Sequence, residues 1–136
     1  MKDYYVPRSG PMPRPKNREE AKKVLKEERF KAPKNITKIK FTACEFTSVC
    51  PKTEQPDFGK VIIEYKPVKY CIESKSLKFY LWAYRDMGAY CESLANMIAG
   101  DIFEAIKPEY VKVTVYQNRR GGIELEATAQ IGNLDE

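Results

Sequence analysis

The sequence predicts an α+β domain, an antiparallel four-stranded sheet with two helices on one face. Three observations carry that reading. Segments 36–46, 59–66, 110–117 and 123–130 alternate apolar and polar residues, the period of a strand with one buried face. The last two are joined by Asn-Arg-Arg-Gly-Gly, a turn sequence that makes a hairpin of them. Between the two strand pairs, Cys91, Leu94, Ala95, Ile98, Ile102 and Ile106 fall on one helical stripe.

The elements follow in order. Residues 1–17 are rich in proline and basic residues and read as an arm. Residues 18–30 read as a helix with a thin apolar stripe at Ala21, Val24 and Leu25. Together with the residues up to 35 they form a helix and linker ahead of a domain at 36–136. The strand at 36–46 carries Cys44, expected to be buried. Residues 47–58 (TSVCPKTEQPDF) contain two prolines and several turn formers, and predict a loop. A strand follows at 59–66, and a short one at 69–73. SLKFYLWAYRD predicts a helix over 76–86, with Gly88 as punctuation. The long helix spans 89–106, and Pro108 ends it. There is no internal repeat, no GxGxxG and no P-loop.

Composition narrows the chemistry. The chain has 136 residues, 43% of them apolar, enough for one domain with one core. No apolar run approaches the roughly 18–20 residues of a membrane span. The first sixteen residues lack an apolar segment, so no signal peptide is expected and the location expected is the cytoplasm. Four cysteines lack zinc-site spacing and are expected as free thiols. There is no histidine. Mechanisms built on a histidine base are excluded, the commonest metal ligand is missing, and no metal site is expected. Proton transfer falls to a carboxylate, lysine, tyrosine, thiol or water. Charge is uneven: residues 1–40 carry 13 Lys/Arg against 5 Asp/Glu, whereas the rest is mildly acidic. A basic arm can bind nucleic acid, but it fits a solvated tail or a docking surface better, and direct nucleic-acid binding is not expected.

Three constellations can carry chemistry. Cys50 and Asp57 share one loop, and a thiolate is a nucleophile that needs no partner base. The alternative is a cysteine packed on the sheet edge. Lys75 and Lys78 stand three apart at a helix start, where Ser74 and Ser76 can cap and free amides attract phosphate. The alternative is an ordinary amphipathic helix with solvated lysines. Glu92 opens the long helix, where a carboxylate suits the dipole. It could also accept two coplanar N–H donors from a guanine-like base. Taken singly, these residues leave both readings open.

Taken together they resemble a known family. EFTSVCPKTEQPDFG (45–59), IESKSLKFYLWAYRDMG (72–88) and NRRGGIELEA (118–127) occur in the order and spacing of the NADPH-dependent 7-cyano-7-deazaguanine reductases, in their short form. The resemblance covers roughly residues 36–130. It implies a tunnelling fold, whose subunits join sheets into a barrel, and hence a homo-oligomer with sites at subunit interfaces. It implies that Cys50 adds to the substrate nitrile as a thioimide and that Asp57 delivers protons. Ile72, Glu73 and Ser74 would contact the deazaguanine base, and Glu92 would read its guanine-like edge. NADPH is the implied cofactor, with Lys75, Lys78 and Arg120 assigned to its phosphates.

Two features depart from the pattern. Many members have histidine where this chain has Cys91, so a histidine's role in substrate contact does not carry over to Cys91. The basic residues 1–35 have no counterpart in the pattern. Two rival functions remain. A related amidinotransferase would use the same Cys/Asp pair on a deazaguanine nitrile in tRNA without NADPH, and the intact ESKSLKFYLW segment argues against it. A non-catalytic purine- or RNA-binding module would have no use for the Cys50–Asp57 pair.

Overall fold

A computed structural model describes residues 14–133. Most of the predicted basic arm, residues 1–13, lies outside the described residues. The elements are α1 (Arg18–Glu27), β1 (Phe30–Lys31), β2 (Ile39–Val49), β3 (Pro56–Lys66), β4 (Tyr70–Cys71), α2 (Ser74–Trp82), α3 (Cys91–Ile106), β5 (Tyr110–Arg120) and β6 (Ile123–Gly132). The main sheet is antiparallel throughout, in the order β2-β3-β5-β6. β1 and β4 form a separate two-stranded pairing. The α+β architecture is the one the periodicity predicts. Among the described residues there are three helices, with α1 packed against α2 and α3.

The core lies between the sheet and α3. Val61, Ile63 and Tyr65 from β3 and Val111, Val113 and Val115 from β5 meet Leu94, Ile98, Ile102 and Ile106. All six residues of the predicted α3 stripe are buried. Lys107 closes α3 in a left-handed conformation and donates its N–H to Phe103 O, and Pro108 then prevents continuation. Ala21 and Leu25 of α1 are fully buried in the same core. The change in sequence character near residue 35 is therefore no break in the packing.

A buried carboxylate fastens the three helices together. Asp101 of α3 is 2% exposed. It accepts two hydrogen bonds of 2.7 Å from the Arg18 guanidinium of α1. It also accepts one of 2.5 Å from the Tyr80 hydroxyl of α2. Such a charge is tolerable inside only when paired and hydrogen-bonded. Burial pushes the Tyr80 and Tyr84 phenols upward, so both stay protonated donors.

Several predicted boundaries move, each for a local reason. α1 stops at Glu27, because Phe30 and Lys31 pair with Cys71 and Tyr70. α2 begins at Ser74 because the Glu73 carboxylate accepts from the Lys75 and Ser76 amides, 2.8 Å each. The predicted serine caps are thus replaced by glutamate, and the Ser76 hydroxyl donates back to Glu73 O. α2 ends early because the chain tightens into i−3 hydrogen bonds from Ala83 to Arg85. The predicted loop at 47–58 contracts to residues 50–55, since β2 runs to Val49 and β3 starts at Pro56.

Candidate active site

Two β-bulges build the site. In β2, Ile39, Phe41 and Ala43 pack against the core. Strict alternation would next turn Glu45, Thr47 and Val49 inward and leave Cys50 outside. Instead, Cys44 and Glu45 together oppose one residue, Lys60, between the pairs Ala43↔Val61 and Phe46↔Gly59. The extra residue reverses the phase, and Phe46, Ser48 and Cys50 become the buried positions. Cys44 is exposed, not buried as expected, because it sits in the bulge. In β5, Asn118 and Arg119 together oppose Glu124, between Gln117↔Leu125 and Arg120↔Ile123. This second slip brings Arg120 to the face of Val111, Val113 and Val115.

On that face the three groups meet. Ser48 and Asp57 are paired across β2 and β3, and both are buried. Arg120 Nη1 donates to Asp57 Oδ1, and Arg120 Nη2 lies 3.9 Å from Cys50 Sγ. Cys50 opens a tight turn: its N–H donates to Gln55 O and its carbonyl accepts from Glu54 N, both at 2.9 Å. Glu54 adopts φ 59°, the left-handed conformation that closes the turn. Cys50 is 9% exposed, but it is no member of the core cluster. The Thr53 hydroxyl and the Thr53 and Lys52 amides favour the thiolate form of the sulfur, Arg120 adds to them, and the Cys50 pKa is lowered to about 7. Cys50 is therefore substantially thiolate at neutral pH.

The segment after α2 braces this turn. Val49 donates to Met87 O at 3.0 Å and accepts from Ala89 N at 3.2 Å, around a parallel bridge to Gly88. Three residues on, α3 begins. Cys91, 3% exposed, directs its thiol at Val115 O, 3.4 Å away. Burial, with Glu92 and Asp57 nearby, pushes that thiol upward, so it behaves as a protonated, packed side chain. Cys91 nonetheless borders a recess with Ser48, Asp57, Phe58, Ala89 and Gln117. Glu92 is exposed on the first turn of α3.

The remaining candidates gather elsewhere. Ile72 is buried, with its N–H bonded to the Tyr65 hydroxyl at 2.9 Å. Glu73 caps α2, and Ser74 starts it. A groove of about 1030 Å³ runs between β2 and α2, lined by Ser74, Lys78, Trp82 and Arg85 and reaching Phe58 and Asn118. Lys78 faces the groove, whereas Lys75 is not among its lining residues. The α2 amides expected to attract phosphate are already occupied by Glu73. Sequence reasoning placed Cys50 beside Asp57 but missed Thr53, Ser48 and the inward turn of Arg120. The slip of alternation between Ala43 and Phe46 was the available signal.

A thiol, a buried carboxylate and a bridging guanidinium on one antiparallel sheet make up the candidate active site of an α+β tunnelling fold. Comparison gives the lineage. The family model described as QueF-like protein matches residues 56–136, and the chain belongs to that family. It is 51% identical over 85 residues to the NADPH-dependent 7-cyano-7-deazaguanine reductase of Halorhodospira halophila, covering 62% of this chain and 72% of that one. It is 48% identical over 86 residues to the enzyme of the same name from Nitrosomonas europaea, covering 63% and 62%. The apo crystal structure of the archaeosine synthase QueF-Like superposes with a TM-score of 0.65 at 30% identity, over 77% of this chain and 100% of that one. Among the described residues no helix is long and apolar enough to cross a membrane, and no cluster of potential metal ligands occurs.

Proposed function

We propose that this chain is a cytoplasmic enzyme that reduces the nitrile of 7-cyano-7-deazaguanine to the aminomethyl group with NADPH, in the supply of a modified tRNA base. The observation that carries the reading is the Cys50–Asp57–Arg120 cluster, in a chain about half identical to reductases of that name over their shared region. A nitrile is a poor hydride acceptor. The Cys50 thiolate adds to its carbon, and the nitrogen takes a proton delivered through Asp57, giving a neutral thioimide. Bound NADPH supplies hydride, two equivalents for each nitrile. After the first reduction the amine-bearing carbon expels the thiolate, which frees Cys50 and leaves an iminium carbon for the second. Overall, two hydrides and two protons convert nitrile to amine. Covalent attachment thereby divides one difficult reduction into easier steps.

The residues fit these partners. The α2 groove joins the aromatic face of Trp82 to the cations Lys78 and Arg85, a suitable lining for a nucleotide that bears phosphates. Lys78 supplies charge neutralisation within the groove, Lys75 reaches the phosphates from outside its lining, and Arg120 is engaged at the thiol. Ile72, Glu73, Ser74 and Glu92 recognise the base, with Cys91 packing behind. The recess beside Asp57 holds only about 10 Å³, about one water. The base therefore needs a wall from elsewhere, and we assign it to a second copy of the chain.

The test follows NADPH absorbance with 7-cyano-7-deazaguanine. Parent protein should oxidise two NADPH per amine formed, and Cys50→Ala should oxidise none. A second reading, amidinotransfer to the nitrile in tRNA, draws on the likeness to the archaeosine synthase structure. It gains if the parent forms the Cys50 adduct but leaves NADPH intact.

A further inference from the structure

We propose that Arg120 is a third catalytic group, the cation that holds Cys50 as a thiolate and fixes Asp57 beside it. Cysteine nucleophiles are commonly activated by a neighbouring imidazolium. This chain has no histidine, so no imidazolium is available to this thiol. The guanidinium of Arg120 is the side-chain cation that touches both Asp57 and the sulfur. Its placement depends on the bulge at Asn118 and Arg119, which turns residue 120 to the inner face. Asp57 has a side chain 10% exposed, whereas that of Arg120 is 47% exposed. The carboxylate is thus fixed and the guanidinium reaches it from the rim.

The arrangement has a clear electrostatic purpose. A buried carboxylate next to a thiol disfavours thiolate formation. Arg120 cancels that effect and reverses it. The other groups around the sulfur are the Thr53 hydroxyl and the Lys52 and Thr53 amides of its own turn, with Asp57 from β3 beyond Arg120. Cys91 from α3 borders the recess on the Asp57 side. An arginine also cannot surrender its proton. It therefore orients and balances charge, and leaves proton delivery to Asp57.

The inference needs Cys50 to be the nucleophile but does not need the electrophile to be a nitrile. The test is accordingly independent of substrate: alkylation of Cys50 by iodoacetamide, followed by peptide mass spectrometry from pH 5 to 9 (about the range over which thiols of this kind titrate). In the parent, the rate should rise with a midpoint near 7. In Arg120→Gln the midpoint should move up by about half a unit, making alkylation at pH 6 about threefold slower. Arg120→Lys keeps the charge and should hold the midpoint close to the parent's. Arg119→Gln should leave the profile unchanged, because Arg119 pairs with Glu124 at 2.6 Å outside the site. Coincident profiles for parent and folded Arg120→Gln would overturn the proposal. So would an Arg120→Lys profile displaced as far as that of Arg120→Gln. NADPH oxidation that fails while these profiles hold would count against the reductase reading alone.

Discussion

The lowered pKa of Cys50 comes from neighbours that the sequence alone does not single out. Pro51 and Glu54 shape the turn, but Thr53 supplies the largest stabilisation of the thiolate, through its hydroxyl. Thr53→Val removes that donor and keeps the shape. The Cys50 midpoint should rise from about 7 toward the ordinary thiol range, so reactivity at pH 7 falls while reactivity at pH 9 is retained. The sign follows from the state stabilised: hydrogen bonds to the thiolate lower the pKa, and losing one raises it. The alkylation profile checks this. Asp101 makes a prediction of another kind. Asp101→Ala strands Arg18 and two buried phenols, and should cost about 3–5 kcal/mol, measured by urea denaturation. The Cys50 alkylation profile should be unaltered, since the cluster joins helices and not the site.

At the scale of elements, the two bulges decide which side chains share the inner face. Deleting Glu45 removes the extra residue of β2 and leaves Phe46, Ser48 and the chain after them opposite the same partners, so Cys50 stays beside Asp57. That variant should keep the depressed thiol midpoint in the alkylation profile. Gly59 is a second fixed point, opposite Phe46 and Gln117. A Cβ there would collide with the Tyr116 carbonyl, so Gly59→Ala should lower the melting temperature and splay β3 from β5. Ile98 is fully buried in α3, and Ile98→Ala should cost about 2–5 kcal/mol. These elements also show what was legible in the sequence. The α3 stripe, the hairpin and the strand pairs follow from periodicity, because burial on one face imposes it. The bulges did not, since they break the very pattern used to find strands. Arg120 reads in the sequence as part of the hairpin turn, and only the resemblance gave it a role, at the cofactor phosphates. The cap of α2 was misassigned because a glutamate just before a helix competes with serine for the same amides.

Across the whole molecule, among the described residues, the main sheet has two open edges, β2 and β6. On β6, Ile123 is 71% exposed and Leu125 is 37% exposed. Exposed apolar residues on an unpaired edge are an association surface. Under the proposed function that association completes the substrate pocket, which one chain leaves too small. Light scattering should then report a multimer, and Leu125→Lys should reduce both its mass and its activity. A fully active monomer would remove the interface from the account. The expectation of an assembly comes from resemblance alone; the geometry of one chain contributes the small recess and the open edges.

The most direct measurement is the intact mass of the protein after mixing with 7-cyano-7-deazaguanine in the absence of NADPH. The account predicts a mass increase equal to the whole nitrile, located on Cys50 and absent from Cys50→Ala, and cleared as amine once NADPH is added. NADPH-dependent amine formation that persists in Cys50→Ala would contradict it.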